Sequence, residues 1–219
     1  PGLIAHLRGT DKPGWAGLFK FSSYEKIENG VLFNCYDAHR GLALDISCVM
    51  DPHTSVAVFK SKLTNNSDRD CVVDWLSAPT IPISQEYSEH LFFHGRWCAE
   101  FAIDRRKIPM GLVKAENRRG RTSHEAFPGT IMLTPTTDEE SGKCIGVHLG
   151  WSGNHRMIIE RLATGETQLQ MGVLHFSREG VVRPGASLST PELFVATSET
   201  GLNAMSQKLH HNVRRNILK

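Results

Sequence analysis

The chain has 219 residues, 40% apolar and 22% charged, with a formal net charge of +2. It is long enough to bury a substantial core, and so slight a charge gives no global attraction to nucleic acid or an anionic membrane. No apolar run approaches the roughly 20 residues that span a bilayer.

Residues 1–15 are turn-rich and predict loop with one short strand. The opening Pro1-Gly2-Leu3 reads as neither an initiator nor a signal peptide, which predicts a segment excised from something longer. From Gly30 onward strands come quickly. Val31, Phe33 and Cys35 alternate, residues 38–41 turn, and Leu42, Leu44, Ile46, Cys48 and Met50 follow. Asp51-Pro52-His53-Thr54 is a turn, residues 55–63 are rich in β-branched and aromatic types, and Cys71, Val73 and Trp75 alternate again. Residues 79–89, polar and proline-bearing, read as a long connection.

Residues 91–101 read as one strand, with Phe93, Trp97 and Phe101 on one face and His94, Arg96 and Glu100 on the other. Gly95 removes a side chain where another backbone or a ligand comes close. Beyond a Pro-Met-Gly turn, Arg118, Arg119 and Arg121 surround Gly120, a charge density that needs carboxylates, a phosphate or a neighbouring domain. Residues 129–134 form a strand and 135–143 an acidic turn. Residues 145–151 and 156–162 read as a hairpin about Gly153-Asn154, and 167–174 and 187–197 as the last strands. The period changes only at the end, where Leu202, Met205, Leu209, Val213 and Ile217 recur three or four apart and predict an amphipathic helix. That helix either covers a sheet edge or links to a further domain. The whole predicts an antiparallel all-β domain over residues 1–199 and a helix over 200–219.

Little in the chain predicts chemistry. Glu100, Asp104, Glu116 and Glu125 lie near the central motifs, but each has an arginine beside it and reads as a structural ion-pair partner rather than one of two acids about 5 Å apart. The eleven histidines show no ligand spacing, so no metal site or cofactor is predicted. No nucleophile elbow or phosphate loop occurs, and Trp97 and Trp151 alternate with apolar neighbours as core tryptophans do. The five scattered cysteines, Cys35, Cys48, Cys71, Cys98 and Cys144, never form a C-x-x-C pair. That argues against a disulfide framework or a zinc ribbon and for a reducing, cytoplasmic setting.

The stretches Phe93-His94-Gly95-Arg96-Trp97-x-x-Glu100, Asn117-Arg118-Arg119-Gly120-Arg121-Thr122-Ser123-His124 and Trp151-Ser152-Gly153-Asn154-His155-Arg156 resemble glycoside hydrolase family 36, which contains the α-galactosidases. Pro1-Gly2-Leu3 with His6, Leu63-Thr64-Asn65, residues 184–192, and Gly201-Leu202-Asn203 with His210 extend the likeness along nearly the whole chain. The resemblance implies an N-terminal β-supersandwich, a two-sheet domain of the galactose mutarotase type. Its helix would lead into an absent (β/α)8 barrel carrying the catalytic aspartates. It implies a parent that hydrolyses α-galactosides such as melibiose and raffinose with retention and works as a homo-oligomer, while this chain alone is inactive. It also implies that His6, Trp97, Arg119, Arg121 and His124 contact the barrel or wall the galactose pocket. Ala99 and Phe101 stand where the family commonly has arginines, and Leu7 is an extra residue between His6 and Arg8. A free-standing carbohydrate-binding module and an assembly module are the alternatives.

Overall fold

Alternation with a period of two runs through most of the chain, and it becomes seventeen strands and one helix in a computed structural model that describes residues 2–9, 17–122 and 124–218. Part of the turn-rich opening and Ser123 lie outside the described residues. The strands are β1 (Leu3–Leu7), β2 (Lys20–Ile27), β3 (Gly30–Asp37), β4 (Leu42–Met50), β5 (Ala57–Asn65) and β6 (Cys71–Leu76). Then come β7 (Thr80–Ile83), β8 (Glu89–Arg96), β9 (Ala99–Lys107), β10 (Gly111–Asn117), β11 (Gly129–Leu133) and β12 (Cys144–Leu149). The last are β13 (His155–Arg161), β14 (Thr167–Val173), β15 (Val181–Val182), β16 (Ser187–Ser189) and β17 (Leu193–Ser198), before helix α1 (Gly201–Asn212).

One layer is a ten-stranded sheet in the order β2-β3-β4-β5-β17-β12-β11-β8-β9, with β16 also on β5. Facing it are a three-stranded sheet, β1-β6-β15, and a four-stranded one, β10-β13-β14-β7. The ladders are antiparallel. Met157, Ile159, Leu169 and Met171 of the four-stranded sheet close on Val147, Leu149, Leu193 and Val195. Leu3, Ala5, Cys71, Val73 and Val182 of the three-stranded sheet close on Leu42 and Leu63. The expected two-layer sandwich is therefore present, with its second layer divided. The division is tight: a Cβ on Gly172 of β14 would lie 2.4 Å from the Leu76 carbonyl oxygen at the end of β6, and the buried Trp75 donates Nε1–H to Gln170 Oε1 at 2.9 Å across the same junction.

The helix lies on the outer face of the large sheet, not along its edge. Met205, Leu202 and Leu209 pack on Val56, Leu133, Cys144 and Ala196. Gly146 makes the approach possible, since a Cβ there would fall 2.2 Å from Met205 Sδ. The first helical N–H groups, which have no partner inside a helix, are met by carbonyls of the acidic turn: Leu202 N to Asp138 O at 3.0 Å and Asn203 N to Glu139 O at 2.9 Å. A π-helical turn, Val213–Ile217, continues α1. There Asn216 Nδ2 donates to Asp51 Oδ2 at 2.6 Å and to Asn212 Oδ1 at 2.8 Å. The helix is thus a strap tied at both ends.

Several expectations are corrected. Residues 91–101 are not one strand but the hairpin β8–β9, because the bare Gly95 lets the Ala99 carbonyl pass within 2.4 Å of where a Cβ would stand. Trp97 at its tip is 78% exposed and Trp151 is 42% exposed, so among the described residues the core tryptophan is Trp75. Residues 145–151 and 156–162 do not pair: β12 spends both edges on β11 and β17, and β13 spends its own on β10 and β14. The connection at 79–89 contains β7, whose Pro82 is tolerated because β7 is an edge strand. The strand expected at 187–197 splits at Pro191, and the Thr190 hydroxyl accepts from Ser61 N at 3.0 Å across the break.

Because Gly172 faces backbone rather than a movable side chain, Gly172→Ala is expected to cost about 1–3 kcal/mol of stability by overpacking. A urea titration followed by circular dichroism reads this, and an unchanged midpoint would show the junction to be loose.

Candidate functional site

The three motif stretches, which lie in different strands and loops, meet at one corner of the sandwich. β10 ends at Asn117, which is 2% exposed. Its side chain shapes the arginine loop: Nδ2 donates to Arg121 O at 2.7 Å and Oδ1 accepts from Arg119 N at 3.1 Å. Asn154, in the crossing from β12 to β13, accepts from Gly120 N at 2.7 Å. Trp151 Nε1 donates to Asn154 O at 3.0 Å. The β8–β9 hairpin supplies the third side. Its turn places Cys98 at φ 61° and is capped by Glu100 Oε1, which accepts from Cys98 N at 2.9 Å.

Between these elements lies a pocket of about 240 Å³, lined by Phe93, His94, Glu100, Phe101, Thr122, His124 and Phe127. Phe127 is its hub, with ring centroids 5.8 Å from Phe93, 5.2 Å from Phe101 and 5.1 Å from the stacked His148. Burial depresses the His148 pKa, so this ring is neutral at physiological pH. Phe93, Thr122 and Phe127 also border a larger apolar groove of about 1040 Å³ between α1 and the outer sheet face, walled by Trp151, Phe194 and Leu209.

The ionic groups are committed to one another. Glu116 receives Arg156 Nε at 2.7 Å and Arg118 Nε at 2.8 Å, and Lys114 stands 3.3 Å away. Burial would raise its pKa, but hydrogen bonds from Arg118 and Arg156 prevail and hold it at about 2. Arg156 in turn lies 5.2 Å from the Trp75 ring centroid, a cation–π contact. Arg119 donates to Glu125 at 2.9 Å. Asp104 pairs with Arg106, and its oxygen lies 3.1 Å from His94 Nε2. Hydrogen bonds from these arginines pull Asp104 and Glu125 below the usual carboxylate range. Arg105 reaches Glu89 at 2.6 Å rather than the acids nearer in sequence. Hydrolysis by a carboxylate pair at neutral pH needs one acid with a raised pKa and a second carboxylate close by. The pocket lining holds one carboxylate, Glu100, and that one caps a turn.

Of the five residues singled out in the sequence, His124 lines the pocket, Arg119 and Arg121 belong to the adjoining loop, and Trp97 tips the hairpin. His6 stands apart. It is on β1, 3.6 Å from Asp74 on the three-stranded sheet, in the layer opposite the one whose outer face carries the groove. The residues that hold the corner together, Asn117 and Asn154, were within the motifs but not singled out; an asparagine at the start of a glycine-containing loop was the available signal.

Residues 6–181 match the family model described as the glycosyl hydrolase family 36 N-terminal domain. The chain belongs to this family. As a family 36 N-terminal domain it is 37% identical over all 219 residues to an α-galactosidase of Escherichia coli, of which it covers 30%. It is 34% identical over 125 residues to α-galactosidase AgaA of Geobacillus stearothermophilus, a match covering 57% of this chain and 17% of that protein. Among solved structures, α-galactosidase AgaB of G. stearothermophilus superposes with a TM-score of 0.91 at 21% identity, over 100% of this chain and 32% of that one. A variant of AgaA in complex with raffinose gives 0.90 at 22%, over 100% and 33%. These likenesses establish the fold. The chain spans about a third of the length of the relatives it matches.

Glu116→Gln is expected to cost on the order of 1–3 kcal/mol at pH 7, since Arg118 and Arg156 lose their charged partner. The folded pKa of about 2 lies below the ordinary 4.5, so this contribution is present above pH about 4.5 and fades as pH falls towards 2. Unfolding midpoints of the two proteins should therefore converge on acidification; a constant gap would show that shape, not charge, is what the glutamine disturbs.

Proposed function

We propose that this chain is the non-catalytic N-terminal domain of an α-galactosidase, and that the parent hydrolyses terminal α-galactosides of the melibiose and raffinose kind with retention. The observation that carries the reading is the match along the whole chain to an α-galactosidase of which it makes up only 30%. The ionic geometry supports it, because Asp104, Glu116 and Glu125 are bound in ion pairs and have lowered pKa values. On this reading the reaction belongs to a (β/α)8 barrel beyond residue 219. Residues 1–199 are the supporting domain, and the helical segment of 200–219 is the lead into the barrel. The aromatic pocket and the groove beneath α1 favour that side of the sandwich as the wall facing the barrel, with Trp97, Arg119, Arg121 and His124 in the contact.

No helix among the described residues is long and apolar enough to cross a membrane. The free thiols of Cys35, Cys48, Cys71, Cys98 and Cys144 favour a reducing, cytoplasmic location. The same reading takes the parent as a homo-oligomer.

Hydrolysis of a nitrophenyl α-galactoside tests the assignment directly. The purified 219 residues are expected to be inactive and the complete reading frame active. Turnover by the short chain would overturn the supporting role, and an inert complete protein would overturn the activity. Trp97 gives a second check. In the isolated chain it is 78% exposed, so Trp97→Ala should change stability by no more than about 0.5 kcal/mol. In the parent the same change should cost about 2–5 kcal/mol if the indole is buried against the barrel. Equal, small effects on both melting curves would remove Trp97 from the contact.

A further inference from the structure

The far margin of the large sheet, away from the groove, is built to be covered. β2 is an edge strand, and all eight of its residues are exposed. The register of β2 on β3, β4 and β5 assigns its faces. Ser23, Asn34 and Asp45 are linked by hydrogen bonds on the outer face, opposite the face on which Leu44 and Leu63 enter the core. On the inner face, Phe21 and Tyr24 lie 62% and 59% exposed. Long exposed edges with apolar side chains are normally blunted, or else paired.

We propose that β2 pairs antiparallel with β2 of a second copy of this chain, joining the two large sheets across a twofold axis. The argument is one of self-complementarity. The bulge between Phe21 and Ser23 shifts the alternation of faces half-way along the strand. Before it, Lys20 points outward; after it, Glu25 and Ile27 do. Only a pairing centred on the bulge therefore keeps matching faces together along the whole strand. In that pairing Lys20 stands opposite Glu25 on the outer face. Phe21 stands opposite Tyr24 on the inner one. Opposite charges and aromatic rings directly across a strand pair are the contacts that stabilise a sheet, and the twofold axis makes each of them twice.

The bulge and the edge lysines would oppose open-ended stacking, but they leave this one closed pairing satisfied. The proposal rests only on the homo-oligomer part of the reading above. It does not involve the reaction, so a nitrophenyl galactoside assay neither supports nor sinks it.

The test is sedimentation of the 219-residue chain over a range of concentrations, with circular dichroism to confirm that each variant is folded. The unchanged chain is expected to dimerise reversibly. Lys20→Glu sets carboxylates opposite Glu25 at both symmetry-related positions, and Glu25→Lys does the same with ammonium groups, so each alone should weaken the dimer at least about tenfold. The double exchange, Lys20→Glu with Glu25→Lys, restores opposite charges and should return the dissociation constant to within about threefold of the original. A chain that stays monomeric to about 1 mM overturns the proposal. So does a dimer indifferent to either single exchange, as when other surfaces make the contact. Failure of the double exchange to recover the dimer overturns the stated register and with it the proposal.

Discussion

Strand β17 alternates Leu193 and Val195 on one face with Phe194 and Ala196 on the other, and all four are apolar. It can be so only because the centre of the large sheet is covered twice, by the four-stranded sheet on one side and by α1 on the other. Much of the architecture follows from that double burial. The helix must close on the sheet, which makes Gly146 necessary beneath Met205. Once closed it must stay, and the turns at residues 138–142 and 51–55 hold its ends through backbone carbonyls and through Asn216. The outer cluster of Val56, Leu133, Cys144 and Ala196 would otherwise face water. The helix that follows the described strands is therefore part of the core rather than an appendage.

The sequence made the local pieces legible and hid the long-range ones. Strands β4 to β6 show clean alternation because each has one face on the core, and the sequence locates each to within two residues. β2 was missed because its bulge breaks the period of two, β7 because Pro82 suggests a loop, and β10 because Lys114, Glu116 and the preceding Pro-Met-Gly conceal Val113 and Ala115. No local pattern reports that β17 returns to β5, or that β12 and β13, joined by a short crossing, belong to different sheets. The corner where the motifs meet was half legible. Its residue types stood out, but their convergence depends on contacts such as Gly120 to Asn154 and Glu116 to Arg156, which join residues 34 and 40 positions apart.

Electrostatics at that corner work towards rigidity. Glu116 lies between two guanidinium groups and an ammonium group, and one of those guanidinium groups rests on Trp75, which also seals the junction of the two smaller sheets. The network thus ties the arginine loop to the middle of the second layer. A carboxylate so fully engaged holds no proton at neutral pH and gives none up. Position, not proton transfer, is what such a loop can supply, and the asparagines beneath it serve the same end.

Two open surfaces lie at opposite margins of one sheet. The aromatic pocket and groove border β8, β9 and α1, whereas the exposed face of β2 and β3 carries Phe21, Tyr24 and Phe33. Between them stand β17 and β12, locked by packing on both faces. Surfaces that far apart, with no shared side chains, contribute independently to stability and association. A large sheet braced at its centre can accordingly be occupied at one margin without disturbing the other. On the proposed reading, that independence would let a single β domain serve two contacts at once, one within its own polypeptide and one with a neighbour.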